Sequence, residues 1–406
     1  MTVAKISAIG KVLRGVSWDK LDATDVSRPG YLPILRAGNI GNELNIIDDL
    51  VWVPASNVSA EQSIRAGDIA ICMSSGSPAI VGKTATALVD WPGSVGAFCA
   101  LIRANSEQCL PKYLGFFLRS PRFRQWTSEA QGANIKNIKK SALEDFEIWL
   151  PELPEQRRIV DLLSRAEGIV RLRREAEKKA AELIPALFNN MFGDPAKNPK
   201  AWATASLGEL IVNGPTNGLY KHSSFYGTGT PILRIDAFYD GRVTDLSNLK
   251  RLRVDASELS RFALVKDDLI INRVNSPEYL GKSAWIPELP EPIVFESNMM
   301  RFAVDPQRAD PGFIIQLLQT GHAKAHFLAN AKHAINQSSI NQQDVKSLRV
   351  IVPNLDLQKQ FCQRCNDIAS IQSQQSTATA KAQSTFDALL ARSFAPTTAL
   401  DDGSSD

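Results

Sequence analysis

The chain has 406 residues, with 46 Lys and Arg against 43 Asp and Glu and a formal net charge of +3. That length suits two or three domains, each able to bury a core, and so small a charge excludes a polycationic arm; any contact to nucleic acid has to come from local clusters of Lys and Arg. Five cysteines form no disulfide-like framework, the N-terminus carries no secretory pattern, and no apolar run approaches the roughly 20 residues of a membrane span, so a reducing, cytoplasmic setting is expected.

The first 149 residues mix short strand patterns with few helices. Tyr31–Arg36 reads as a strand, Ala66–Ile71 as a turn entering a buried strand, and Pro111 as the first turn of a helix. Between them lies Met73-Ser-Ser-Gly-Ser-Pro78, ahead of Gly82-Lys83. Its glycine spacing fits neither the P-loop nor the dinucleotide fingerprint. The better functional reading is a polar loop in which Ser74, Ser75, Ser77 and Lys83 reach a base edge or a phosphate, against a plain β-turn for any single residue. A second polar loop, Gln131-Gly-Ala-Asn134-Ile-Lys136-Asn137, offers amides and a cation for the same purpose, or merely turns the chain. Arg119, Arg122 and Arg124 form a basic edge that reads first as a solvated face.

From Glu155 to Phe192 the apolar residues recur at spacings of three and four, which predicts a helix of about 57 Å. Its charged faces leave one narrow stripe, and a stripe of that kind needs a partner helix. Ile159, Leu163, Ile169 and Leu187 are the expected seam. Pro185 removes a backbone bond and predicts a bend or a break. The linker Gly193–Lys200, with two prolines, marks a boundary.

At an offset near 200 residues the signals return. Gly229–Arg234 repeats Tyr31–Arg36, Lys266–Ile271 repeats Ala66–Ile71, Gly281-Lys282 repeats Gly82-Lys83, and Pro311 repeats Pro111. Arg36 and Arg234, which close the matching strands, join the candidate DNA contacts. Asn272-Arg-Val-Asn-Ser276 replaces the Ser-rich loop and brings Arg273 and Asn275, side chains suited to guanine and adenine edges, with Lys282 following. Asn336, Gln337 and Ser338 stand for the second loop. His322 and His326 are an i,i+4 pair, but Ala323 stands where a zinc-peptidase helix needs glutamate, so no metal site is expected. A second helical stretch near the C-terminus puts Phe361, Ile368, Ile371 and Leu389 on the positions of Ile159, Ala166, Ile169 and Leu187. Cys362 and Cys365 fall on Val160 and Leu163, which makes this CxxC a pair of small core residues.

Leu150-Pro-Glu-Leu-Pro-Glu-Gln156 entering a long helix that ends at Met191-Phe-Gly-Asp-Pro195, followed by Asn198-Pro-Lys-Ala-Trp202 and Leu207-Gly-Glu-Leu210, resembles the specificity subunit of Type I restriction-modification enzymes. The resemblance spans essentially the whole chain; the second helix departs from it, with Asp356-Leu-Gln358 where the family usually has Pro-Glu-Gln. It implies a mixed α+β fold: two duplicated α/β target-recognition domains separated by two long antiparallel coiled-coil-like helices, with pseudo-two-fold symmetry. The expected parts are a first recognition domain over 1–149, a central spacer helix over 150–194, a second recognition domain over 195–351, a C-terminal spacer helix over 352–395 and a disordered tail over 396–406. It also implies a non-catalytic subunit. Each domain would read one half of a bipartite site in the major groove of double-stranded DNA, while the helices set the gap and dock two modification subunits. Those subunits would carry S-adenosylmethionine and adenine methylation, so no cofactor is expected on this chain; restriction/translocase subunits would join the same assembly. The competing readings are a structural adaptor that binds proteins through its helices, and an enzyme. The second is disfavoured because no Asn-Pro-Pro-Tyr-like motif with a glycine-rich cofactor motif, and no convincing acid cluster, is present.

Overall fold

A computed structural model describes residues 2–77, 79–129, 137–244, 246–334 and 337–395. The chain forms two compact units, Met1–Glu175 with Thr377–Asp406, and Ala176–Ser376. The division runs through the two long helical stretches and not through the linker Gly193–Lys200, because each unit closes its core with the start of one long helix and the end of the other.

In the first unit an antiparallel sheet runs in the order Gly10–Arg14, Cys99–Ala104, Ile69–Cys72, Thr84–Thr86. Ile69–Cys72 is buried on both faces, and the two-residue period of a strand sorts its side chains. Ile69 and Ile71 join a core with Tyr113, Phe117 and Phe123 of the helices Pro111–Phe117 and Pro121–Glu129. Ala70 and Cys72 join the opposite core with Leu35 and Val95 of a three-stranded sheet ordered Val51–Pro54, Tyr31–Leu35, Ser94–Val95. Two apolar layers on one strand require the continuous apolar run that the sequence carries there. A third, two-stranded sheet pairs Val3–Lys5 with Glu147–Trp149.

The second unit repeats this frame on a larger scale. Its main sheet runs Ile211–Asn217, Met299–Val304, Leu269–Asn272, Ser283–Trp285, Gly241–Val243, Phe238–Tyr239. Leu269 and Ile271 face the core of Phe313 and Phe327, whereas Ile270 faces that of Leu233 and Phe295. The helix Pro311–Leu318 begins on its proline, as Pro111–Phe117 does, and Thr204–Ser206 pairs with Arg349–Ile351.

The predicted helix over 155–192 is broken in two: α1, Leu153–Ala181, and α2, Leu183–Phe192. Pro185 has no N–H to offer the carbonyl four residues back, and that residue, Ala181, is where α1 ends. Gln372 donates from its Nε2 to the neighbouring Ala180 carbonyl at 2.6 Å. The C-terminal helix α3 is unbroken over Leu355–Ser393, 39 residues. Both α1 and α3 are anchored by one device. Gln156 is buried, accepts the Leu110 amide at 2.8 Å and donates to the Gln108 and Pro151 carbonyls at 2.9 and 2.8 Å. Gln358 accepts the Asp310 amide at 2.9 Å and donates to the Arg308 and Pro353 carbonyls at 3.3 and 2.8 Å.

Within the first unit, Ile159, Leu163 and Val170 of α1 share a core with Phe386 and Leu390 of α3 and with Phe394 just past its end, so the start of one helix lies beside the end of the other. Phe394 meets Tyr113 and Phe117 with ring centroids 5.4 and 5.3 Å apart, and Arg174 donates to Gln383 Oε1 at 2.8 Å. Within the second unit Ile184, Phe188 and Phe192 of α2 share a core with Phe361 and Cys365. The expected seam needs correction at Ile169 and Ile371, each 52% exposed. Burial follows Ile159, Leu163, Ala166 and Val170, a four-three-four spacing, and Ile169 lies about 100° round the helix from Val170. Leu187, Ile368 and Leu389 are partly buried against the cores. Cys365 is in the core and Cys362 packs against it, its thiol donating to Asp310 Oδ1 at 3.1 Å. Among the described residues no helix is long and apolar enough to cross a membrane.

Candidate nucleic-acid interface

In each unit the strand at the centre of the main sheet delivers the chain into the first polar loop, and the described end of the second polar loop lies alongside it. In the first unit the Met73 and Ser74 amides donate to the Phe98 carbonyl at 2.8 and 3.0 Å, and the Ile138 amide donates to the Met73 carbonyl at 2.7 Å. Ser74 and Asn137 are thereby bridged as antiparallel neighbours. In the second unit Arg273 and Val274 donate to the Asn298 carbonyl at 2.8 and 3.3 Å, and Ile340 donates to the Arg273 carbonyl at 2.9 Å. Here the bridge lengthens into a ladder, Val274 opposite Ser339 and Asn275 opposite Ser338, extended by Lys332–Ala334. The first loop returns to the sheet through a left-handed glycine in both cases, Gly82 at φ +82° and Gly281 at φ +76°, where an added Cβ would meet Thr127 or Phe327.

The side chains on this common frame differ. Ser77, Lys83 and Asn137 are exposed, while Ser74 and Ser75 are half-buried and the Ser75 hydroxyl accepts the Ser77 amide at 3.2 Å. Gln337 is exposed, and half-buried Asn275 accepts the Ser276 amide at 2.8 Å. Asn134, Lys136 and Asn336 lie outside the described residues.

Four other candidates are engaged within the protein. Lys282 donates to the Ile235 carbonyl at 2.5 Å with the rings of Tyr239, Phe238 and Tyr279 at 3.9, 4.8 and 5.4 Å from Nζ. Burial lowers its pKa from the ordinary lysine value, against the raising influence of Asp236 and Asp240. Ser338 is buried, with its hydroxyl 2.9 Å from His333 Nδ1. Arg234 lies 3.4 Å from the Glu296 carboxylate. Arg36 is exposed but donates to the Asp49 carbonyl at 3.2 Å, from the three-stranded sheet rather than from the loop pair. Of the basic edge, Arg119 is likewise engaged, pairing with Glu167 at 2.7 Å and covering the Phe116 and Phe386 rings, while Arg124 is exposed.

Sequence reasoning passed over the surroundings of Arg273. Asn217, Asn341, Gln342, Gln343 and Lys346 line a cavity of about 430 Å³ with it. The only signal was the polar run after Ser339, which reads equally well as a turn. His322 and His326 place Nε2 2.7 and 2.9 Å from the Arg349 and Asp344 carbonyls. Among the described residues no group of three or more His, Cys, Asp or Glu side chains is arranged to hold a metal ion.

The model of the type I restriction modification DNA specificity domain matches residues 2–182. The chain is 29% identical to the type I restriction enzyme StySPI specificity subunit of Salmonella potsdam, covering 96% of this chain and 88% of that one. It is also 29% identical to the EcoKI specificity subunit of Escherichia coli K12, covering 97% and 88%. In fold it is similar to the crystal structure of the type I restriction-modification S subunit from M. genitalium, with a TM-score of 0.53 at 15% identity over 98% of this chain and 96% of that one. A second solved chain, described under complex assembly and conformational transition of the type I R-M system, gives a TM-score of 0.61 at 18% identity and covers 97% of both chains.

Proposed function

We infer from the likeness to type I restriction enzyme specificity subunits that this chain belongs to their family and supplies DNA sequence recognition to a complex whose chemistry resides in other subunits. It is the recognition subunit and not the catalyst. The observation that carries the finer reading is the repeated loop pair: one strand-and-loop frame, present in both units, bears serines, Lys83 and Asn137 in one and Arg273, Asn275 and Gln337 in the other. Unlike contact chemistry on a like frame is what an asymmetric, bipartite site requires, since backbone contacts position a reader and base-edge contacts specify the sequence.

On this reading the two units descend from a duplicated reader-plus-helix segment, and each reads one half of a site in double-stranded DNA through the major groove. The antiparallel helices form a coiled-coil-like spacer that sets the gap. Their outer faces dock two modification subunits, with S-adenosylmethionine carried there, and restriction/translocase subunits complete the assembly in the cytoplasm. The exposed apolar residues Leu162, Ile169 and Leu172 on α1 support a docking role for that helix.

The test is a methylome. Replacing Met73–Pro78 and Gln131–Asn137 with the corresponding loops of another reader, in a host that also carries the modification subunit, should change the first half-site and preserve the second. If both halves change, or neither does, these loops are not the readers. A complex that methylates normally with every loop replaced would favour an adaptor instead.

A further inference from the structure

The cavity beside Arg273 has a composition that the base-reading loops do not share. Two cations, Arg273 and Lys346, and four amide side chains line it, and no carboxylate is among its lining residues. The one acid of the helix Gln342–Lys346, Asp344, is turned back onto the Asn341 amide at 2.7 Å. Among the described residues neither cation forms an ion pair.

The Arg273 guanidinium is held in an unusual state. Its Nη1 donates to the Ser297 carbonyl at 3.2 Å, while its Nε is buried without a hydrogen-bond partner. An orphaned buried donor of this kind costs on the order of 1–3 kcal/mol. With Nε buried, the edge of the guanidinium that pairs Nε with an Nη is closed to a guanine, and one Nη1 donor is already spent on Ser297. A cavity lined by this guanidinium, the Lys346 ammonium and four amide side chains suits a compact anion.

We propose that this cavity seats a backbone phosphodiester of the bound DNA, with Arg273 and Lys346 neutralising it and the amides of Asn217, Gln342 and Gln343 as further donors. The proposal rests on the DNA-reading function above and divides that function in the second unit: Arg273 positions the duplex, and the residues after it on the loop read bases. Among the described residues of the first unit the two cations do not recur at the matching places. The residue after its central strand, hydrogen-bonded as Arg273 is, is the buried Met73. At the place of Lys346, the end of the helix Lys140–Glu144, stands Glu144, paired with Lys140 at 3.4 Å.

The experiment uses the complex with its modification subunits and a duplex bearing the site mapped from the methylome. Binding is measured across a range of salt concentrations for wild type, Arg273→Gln, Lys346→Gln and Arg273→Lys. Neutralising one phosphate contributes about 0.9 to the slope of log K against log salt. Arg273→Gln and Lys346→Gln should therefore each flatten the slope, by up to about 0.9 where the contact is lost whole, and weaken binding to matched and mismatched duplexes by the same factor. Arg273→Lys should keep the slope, and the methylated sequence should stay as it is in all three. Slopes equal to wild type in both glutamine variants overturn the proposal, as does a changed base in the second half-site, which would make Arg273 a base reader. Lys346 is half-buried at the end of its helix and forms no ion pair among the described residues, so its variant remains informative if Arg273→Gln fails to fold. Loss of inorganic phosphate binding with an unchanged DNA slope also overturns it, because the cavity would then serve a free anion. A wild-type complex without site-specific DNA binding would instead sink the DNA-reading function itself.

Discussion

Gln156 and Gln358 each satisfy three backbone groups from a fully buried position. Each joins the entry of a long helix to the segment just before a proline-opened helix far back in the chain. Replacing either with leucine keeps the volume and strands an amide and two carbonyls, and a buried unsatisfied group costs on the order of 1–3 kcal/mol. Gln156→Leu and Gln358→Leu should each destabilise the protein by about 2–4 kcal/mol, read as a lower denaturant midpoint; a midpoint within error of wild type would mean that water replaces these bonds. The motif was visible in the sequence, since the glutamines and the prolines before them recur at the same offset. Its meaning was not, because the accepting carbonyls of Gln108 and Arg308 lie 48 and 50 residues away. Lys83 and Lys282 show the same gap between pattern and environment. They match in sequence, yet one is solvated and the other is enclosed by Phe238, Tyr239 and Tyr279, two of which come from a distant hairpin.

For the elements, periodicity placed the long helices and the proline break, but it did not choose between two apolar stripes on one rod. Spacings of three and four admit both Ile159–Leu163–Val170 and Leu162–Ile169–Leu172, and only the neighbouring cores decide which is buried. The distinction is measurable. Leu163→Asp puts a carboxylate into a fully buried position and should unfold the first unit's helix seam, a loss of several kcal/mol. Ile169→Asp, on an exposed position, should leave the denaturation midpoint nearly unchanged while removing the modification subunit from the complex on a sizing column. An equal loss of stability in both variants would contradict the observed seam. A helix in the second unit gives a pH test. Asp255 accepts the Glu258 amide at 2.8 Å at the start of the helix Ala256–Phe262. That bond first, then the Ser257 hydroxyl, lowers its pKa from the ordinary 3.8. A folded pKa below the unfolded one means that the cap's contribution is complete above about 3.8 and is lost as pH falls through the lower folded value. Amide protection in this helix should drop over that acid range in wild type and drop less in Asp255→Asn, which can still accept the amide. Identical acid profiles would show that the cap does not titrate with this carboxylate.

At the scale of the whole molecule, the chain passes between the two units twice, once within α1 at Glu175–Ala176 and once within α3 at Ser376–Thr377. On the proposed reading of these helices as an antiparallel spacer, the spacer is lengthened only if both crossings are lengthened. Four residues inserted after Glu175 add about 6 Å and leave the following stripe about 40° from its original phase, but an unaltered α3 opposes the extension, so the insert should be expelled as a bulge and the gap between half-sites should not change. Four residues inserted after Glu175 together with four after Ser376 relieve that opposition. At 3.4 Å per base pair the unspecified gap should then grow by about one or two pairs, with both half-sites keeping their bases. Two residues in each place would turn the following stripe by about 200° and should abolish assembly. Methylation maps of the three variants test the whole scheme, and an unchanged gap after the paired four-residue insertion would mean that the helices hold the readers without measuring the distance between them.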